Sequence, residues 1–381
     1  MVESGLLRDS EGRLVADGPL PPLAIPTTLQ GSLLARLDRL SATREVAQIG
    51  SAIGREFDYQ LLVAVAGLPD TQLREALSRL EAAGLIFRRG SPPEAIYAFK
   101  HALVQDAAHD SVLKSRRQQL HARIADAIER HYPETATAQP QLLAQHYAEA
   151  GFGERSARAW LEAGRLASSR SASQEAAMQF ARGIDVLQRM EPGPERDRLE
   201  LDLQVGRGSA CAVVYGFSAT ETGNAWLRAV TLLRDHPDDP RNFWARRGLS
   251  SGYSFRADMT AYAAIARETL ELAVGTGDPA GLCVAHMIFA NLNMYTGNFA
   301  ATERSVAEAV RHYRTDAHHG SFQLSGLDIG VQIPMGFMHA RSFLGDHSGA
   351  EERMRDTLCL AEAQPQIGTL CWATSGRRSA V

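Results

Sequence analysis

Lysine is almost absent from this chain. Of its 40 basic residues only Lys100 and Lys114 are lysines; the others are arginines. Codon bias in a GC-rich genome accounts for this without any arginine-specific chemistry. A Walker A loop needs Gly-Lys-Ser/Thr, so that an ammonium reaches the β and γ phosphates. Lys100 follows Phe99 and Lys114 follows Leu113, so neither serves such a loop. No G-x-G-x-x-G follows a strand-like run either. Long apolar runs are missing too, and none approaches the roughly 20 residues that span a bilayer. At the N-terminus Glu3, Arg8, Asp9, Glu11 and Arg13 interrupt any signal-peptide core. Cysteine is scarce: Cys211, Cys283, Cys359 and Cys371 are scattered, with no C-x-x-C pair. Such cysteines read as buried free thiols in a reducing compartment. The expectation is a cytoplasmic protein.

What is present is ordinary globular material. The 381 residues suffice for two or three domains, with 45% hydrophobic and 22% charged residues. A net charge of −4 argues against wholesale binding to nucleic acid or an anionic membrane, although a local basic patch remains compatible with it.

Residues 1–26 read as the edge of another domain. Two short strands, Gly5–Arg8 and Arg13–Ala16, flank a turn at Ser10-Glu11-Gly12, and Gly18-Pro19-Leu20-Pro21-Pro22 ends regular structure. Residues 27–40 predict a helix capped by Thr27 or Thr28, with Leu29, Leu33, Leu37 and Leu40 on one stripe. Three shorter helices follow. The first lies around Glu45–Ile53; the second is capped by Asp58 and stopped by Gly67; the third runs over Asp70–Ala83, capped by Asp70 and stopped by Gly84. The period then drops from 3.6 to 2 through Leu85-Ile86-Phe87, a Gly90-Ser91-Pro92-Pro93 turn and Ile96-Tyr97-Ala98-Phe99, which predicts a hairpin. Three helices and a two-stranded wing predict a winged helix within 27–114, closed by a helix over 102–113.

From 115 onward the pattern is helical. Short breaks recur at Gly151-Phe152-Gly153, Pro192-Gly193-Pro194, Pro237-Asp238-Asp239-Pro240, Gly277-Asp278-Pro279, Gly297-Asn298 and Gly345-Asp346. Small and aromatic residues follow these breaks in a loose version of the 34-residue tetratricopeptide (TPR) pattern. The expected fold is mainly α: a winged-helix domain, then a degenerate TPR-like α-solenoid over 115–363, with a short N-terminal strand remnant. Residues 364–381 read as an irregular tail, cut before its last helical unit is complete.

Several segments carry a resemblance. Ile25-Pro26-Thr27-Thr28-Leu29-Gln30-Gly31-Ser32-Leu33-Leu34-Ala35-Arg36-Leu37-Asp38-Arg39-Leu40 and Ala47-Gln48-Ile49-Gly50-Ser51-Ala52-Ile53-Gly54-Arg55-Glu56-Phe57 are its most specific parts. Phe99-Lys100-His101-Ala102-Leu103-Val104-Gln105-Asp106-Ala107-Ala108, Arg116-Arg117-Gln118-Gln119-Leu120-His121 and Gly326-Leu327-Asp328-Ile329-Gly330-Val331 extend it. Together they resemble large bacterial proteins that join an N-terminal adenylate/guanylate cyclase domain, a central P-loop signalling ATPase of the STAND type and a C-terminal TPR array. The resemblance implies that this chain matches the part after the ATPase core, so that ATP or ADP belongs to the intact family and no cofactor to this chain. It also implies a role for His101, at the junction of the second wing strand and the next helix, as a sensor of nucleotide phosphate held by a neighbouring ATPase core. The bland alternative is a packed histidine at a strand–helix junction.

No catalytic residue and no metal ligand is assigned from the sequence. There is no G-x-S-x-G elbow. His312 and the pair His318-His319 fit no standard ligand spacing, with only Asp316 as a local carboxylate. On the candidate recognition helix Arg74 and Arg79 are offset by Glu75 and Glu81, while Arg88, Arg89, Lys100, Lys114, Arg116 and Arg117 form a modest basic cluster near the wing. The aromatics Trp160, Phe180, Trp226, Trp244, Tyr253, Tyr262, Phe289 and Tyr295 read as filler between helix pairs, or as the lining of a groove. The leading expectation is a non-catalytic regulatory and scaffolding portion of a cyclase/ATPase-type signalling protein. Its repeats would bind a protein or small effector, with an ATPase or cyclase module in cis or trans. The competing expectations are a transcriptional regulator reading DNA through its winged helix, and a gene fragment.

Overall fold

A computed structural model describes residues 7–10, 13–16, 41–313, 333 and 338–362. The expected helix at 27–40, the pair His318-His319 and the tail 364–381 lie outside these residues. The chain divides into two compact units, Met1–Phe152 and Gly153–Val381.

In the first unit β1 (Leu7–Ser10) and β2 (Arg13–Ala16) pair antiparallel, from Leu7 opposite Ala16 to Ser10 opposite Arg13. Then come α1 (Ser41–Ile53), β3 (Glu56–Asp58), α2 (Tyr59–Ala66), α3 (Asp70–Ala82), β4 (Ile86–Arg89), β5 (Ile96–Phe99) and α4 (Ala102–Asp110). Asp58 caps α2 by accepting from the Leu61 N–H, and Gly67 ends it at φ 63°, a left-handed conformation that glycine adopts without strain.

Asp70 does not cap α3. Pro69 holds that position, and the Asp70 carboxylate instead takes the Tyr59 hydroxyl and the Arg74 guanidinium. The sequence reading also lacked β3. Three residues are too few to show a period, yet Phe57 is buried there beside Tyr97 and Phe99, with ring centroids 5.8 and 5.6 Å away. The resulting sheet has the order β3-β5-β4, antiparallel throughout.

Helices α5 (Lys114–His131), α6 (Pro133–Ala138) and α7 (Pro140–Ala150) belong to this first unit. The sequence reading had placed them at the head of the repeats. Helix α5 buries Leu120, Ile124 and Ile128 and packs on α1, α2 and α7, and the Tyr132 hydroxyl donates to Asp58 at 2.9 Å.

The second unit is helical: α8 (Gly153–Ser169), α9 (Ser173–Leu187), α10 (Pro194–Tyr215), α11 (Thr220–Leu232), α12 (Arg241–Phe255), α13 (Met259–Thr276), α14 (Pro279–Tyr295), α15 (Phe299–His312) and α16 (His347–Glu362). From α8 to α15 each helix packs on the next, and α8 also touches α10, and α12 touches α14. This is a stack of helix hairpins. Four of the turns share one design, a left-handed residue followed by a capping side chain. Ala257-Asp258, Gly277-Asp278, Gly297-Asn298 and Gly345-Asp346 have φ of 57°, 65°, 76° and 86° at the first residue. The second residue accepts from the N–H of Ala261, of Ala280 and Gly281, of Ala301 and of Gly349 respectively.

Close packing between layers depends on small residues facing large rings. Phe180 of α9 lies between Gly164 of α8 and Gly206 of α10; Trp226 of α11 lies between Gly208 of α10 and Gly248 of α12. A Cβ at any of these four glycines would overlap the ring. Ion pairs add a second tie. Glu200, 6% exposed, receives both arms of Arg228 at 2.7 and 2.8 Å across α10 and α11. Burial pushes the Glu200 carboxyl up, but the arginine hydrogen bonds and charges outweigh it and hold the pKa below the ordinary value. Cys211 and Cys283 are buried free thiols, as the scattered spacing predicts, and burial raises the Cys283 thiol to about 12.

Candidate functional site

The alternation of short turns brings the C-terminal ends of α10, α12 and α14 to one edge of the hairpin stack. An aromatic residue ends each: Tyr215, Phe255 and Tyr295. A fourth, Phe343, ends the helical residues 338–343. Phe255, Tyr295 and Phe343 are 65%, 58% and 67% exposed. Each meets a ring from the neighbouring hairpin. Phe217 stacks on Phe255 with centroids 5.3 Å apart, Tyr262 tilts against Tyr295 at 6.4 Å, and Phe299 stacks on Phe343 at 4.8 Å. The result is a row of ring pairs with one exposed aromatic per hairpin. Behind it α12 carries Arg246 and Arg247, both partly buried. Burial lowers both guanidinium pKa values, Arg247 to about 10.

Sequence reading found part of this row. Trp160, Phe180, Trp226 and Tyr262 are buried between helices, as filler should be, whereas Tyr295 is on the exposed edge. Phe217, Phe255 and Phe343 were missed. The available signal was the recurring aromatic, any residue, Gly or Ala, then Asp or Asn, at Phe255–Asp258, Tyr295–Asn298 and Phe343–Asp346.

His101 is exposed at the N-cap position of α4, with φ −136° and ψ 140°. Its side chain makes no cap hydrogen bond; its carbonyl accepts from Val104 and Gln105. The candidate recognition helix α3 pairs its own charges. Arg74 binds Asp70 at 2.7 Å and Arg79 binds Glu75 at 2.5 Å, each one turn apart. In the basic cluster Arg88 faces Glu81, Arg89 faces Glu56 and Arg116 faces Glu45.

Two histidine groups emerge only in three dimensions. In the first unit His121 of α5 and His146 of α7 are 5% exposed, and their Nδ1 atoms lie 2.9 Å apart, one donating to the other. Burial lowers both pKa values to about 4; for His146 the neighbouring His121 adds to the effect. In the second unit His312, to which the sequence reading assigns no metal role, is joined by Glu308 four residues back on its own helix and by His286 of α14. Burial lowers the His286 pKa, Glu308 opposes that shift and His312 adds to it.

No protein-family model matches the chain. It is 28% identical over 221 residues to an uncharacterised protein, R02095, of Rhizobium meliloti (strain 1021). The match covers 57% of this chain and 21% of that protein, so the chain spans about a fifth of its relative's length. Among solved structures, the chain is similar to apo RapI at a TM-score of 0.43 and 10% identity, over 88% of this chain and 77% of that one. It is similar to a signal transduction ATPase with numerous domains and a tetratricopeptide repeat sensor from Pyrococcus horikoshii at 0.35 and 12%, over 89% and 52%. Aspartyl phosphate phosphatase F of Bacillus subtilis gives 0.39 and 8%, over 95% of each chain. Among the described residues no helix is long and apolar enough to cross a membrane.

Proposed function

We propose that this chain is a cytoplasmic, non-catalytic interaction module, the regulatory and scaffolding portion of a signalling protein. In this reading the hairpin stack of the second unit binds a protein segment or small effector. The first unit is a winged helix that relays occupancy to an ATPase or cyclase module in cis or trans. The order helix–strand–helix–helix–strand–strand over Ser41–Phe99, with the first strand pairing the last, supports the winged helix. His101, exposed at the start of α4, is the residue we propose to meet a nucleotide phosphate on that module.

The observation that carries the binding role is the edge of Phe255, Tyr295 and Phe343. Exposed aromatics repeated once per hairpin, each fixed by a neighbouring ring, give contact area at little cost in side-chain entropy. The test is selection of ligands from a peptide library on the full chain, followed by the double variant F255S/Y295S. Both side chains are exposed, so the variant should keep its helical circular dichroism. It should lose at least about tenfold in affinity for selected peptides, as removal of two aromatic anchors implies. Equal binding by the variant, or turnover of ATP or GTP to a cyclic nucleotide by the purified chain, would overturn the reading.

A further inference from the structure

His286, Glu308 and His312 each offer one ligand atom, and these atoms all lie within 4.8 Å of one another. Glu308 and His312 are four residues apart on α15, which puts them on one face of that helix. His286 reaches them from α14, the other arm of the same hairpin. The two imidazole rings lie nearly parallel, 5° apart, with centroids separated by 6.1 Å. All three residues are half-buried, so the cluster is sheltered by the hairpin and still open to solvent.

We propose that these three residues form a divalent metal site, with zinc as its natural occupant, that staples α14 to α15. The donor set selects the metal. Two imidazoles and one carboxylate suit zinc and its transition-metal neighbours, whereas calcium and magnesium take oxygen ligands. Three protein ligands leave the fourth tetrahedral position to water. Ligand atoms around tetrahedral zinc sit about 3.3 Å apart, given bonds of about 2.0–2.1 Å. The donors therefore close by up to about 1.5 Å on binding, which side-chain torsions supply without moving either helix backbone.

Arg311 also faces the cluster, donating to Glu308 Oε1 at 2.6 Å. Its side chain is 70% exposed, so the pair is solvated and weak. It leaves Oε2 for the metal. A donor on the non-ligating oxygen also fixes the carboxylate's orientation, as outer-shell groups do at metal centres. The staple ties together the two helices of the hairpin whose outer edge carries Tyr295 and Phe299. Bound metal should therefore stabilise that part of the stack.

The test uses the full chain stripped with a chelator, then titrated with zinc alone by calorimetry and with cobalt(II) alone by visible spectroscopy. One zinc should bind per chain, cobalt should show the intense ligand-field bands of a four- or five-coordinate site, and the thermal midpoint should rise with zinc. His286→Gln and His312→Gln should each abolish both signals while helical circular dichroism persists. Glu308→Gln keeps the shape and both histidines, so it should weaken binding and weaken the bands even if a histidine variant folds poorly. Arg311→Ala should keep the site. The chain also carries His318-His319. Binding that survives in H286Q/H312Q, or that vanishes only in H318Q/H319Q, would overturn the assignment. So would the absence of zinc binding to the unaltered chain.

Discussion

Single residues in this fold are held by contacts that leave no slack, and glycine shows it most sharply. Gly248 lies in the interior of α12, where alanine would ordinarily stabilise the helix by about 1 kcal/mol. Here the added methyl meets the Trp226 indole, and Gly208 closes the ring's other face, with a Cβ there only 2.6 Å from the same ring atom. The ring cannot retreat, so overpacking of about 1–3 kcal/mol outweighs the propensity gain. Gly248→Ala should therefore lower the urea midpoint of the second unit, read by tryptophan fluorescence, where a purely local view of the helix expects a rise.

The buried pair His121 and His146 makes a pH-dependent prediction on the first unit. In the unfolded chain both titrate near the ordinary value of about 6.5; in the fold they stay neutral until about 4. Between those values the unfolded state binds more protons, so stability must fall as pH falls from about 6.5 to about 4 and level off below. Amide exchange in α5 and α7 should accelerate through that window. The double variant H121Q/H146Q should flatten the dependence, and an unchanged slope would mean that other groups carry it.

At the scale of elements, capping side chains set the turns before α13, α14, α15 and α16. Asp278 takes two N–H groups, from Ala280 and Gly281 at 3.0 Å each. Asp278→Ala should cost about 1 kcal/mol, within the range of about 0.5–2 for such caps, and should appear as faster exchange in the first turn of α14. Caps of this kind are local, which is why sequence reading found Asp58, Gly67 and the breaks at 277–278, 297–298 and 345–346. Asp70 eluded it because Tyr59 and Arg74, brought close by the turn between α2 and α3, compete for the same carboxylate. Helix α5 poses a related problem. Its stripe of Leu120, Ile124 and Ile128 says that one face is buried, and nothing local says against which partner. The exposed aromatic edge and the group of His286, Glu308 and His312 were hidden more deeply. The rings of the edge sit on different helices, and His286 lies on a different helix from Glu308 and His312, so only the register of the hairpins completes either group.

On the scale of the whole molecule, charge separates the interaction reading from a DNA-binding one. Duplex binding draws on many unpaired cations, and its strength falls steeply with salt as counterions are released. This chain has a net charge of −4. The two arginines on the candidate recognition helix are each paired to a carboxylate of the same helix, and Arg88, Arg89 and Arg116 face carboxylates as well. Surface pairs of this kind are weak, so they could break for a phosphate, but every break gives back part of the attraction. The purified chain should leave duplex DNA unshifted at physiological salt. Charge reversal supplies the positive control. E75K/E81K removes one acidic partner each from Arg79 and Arg88 and raises the net charge by four, so it should gain weak, salt-sensitive and sequence-independent binding. A salt-sensitive shift by the unaltered chain would instead favour the DNA-binding reading.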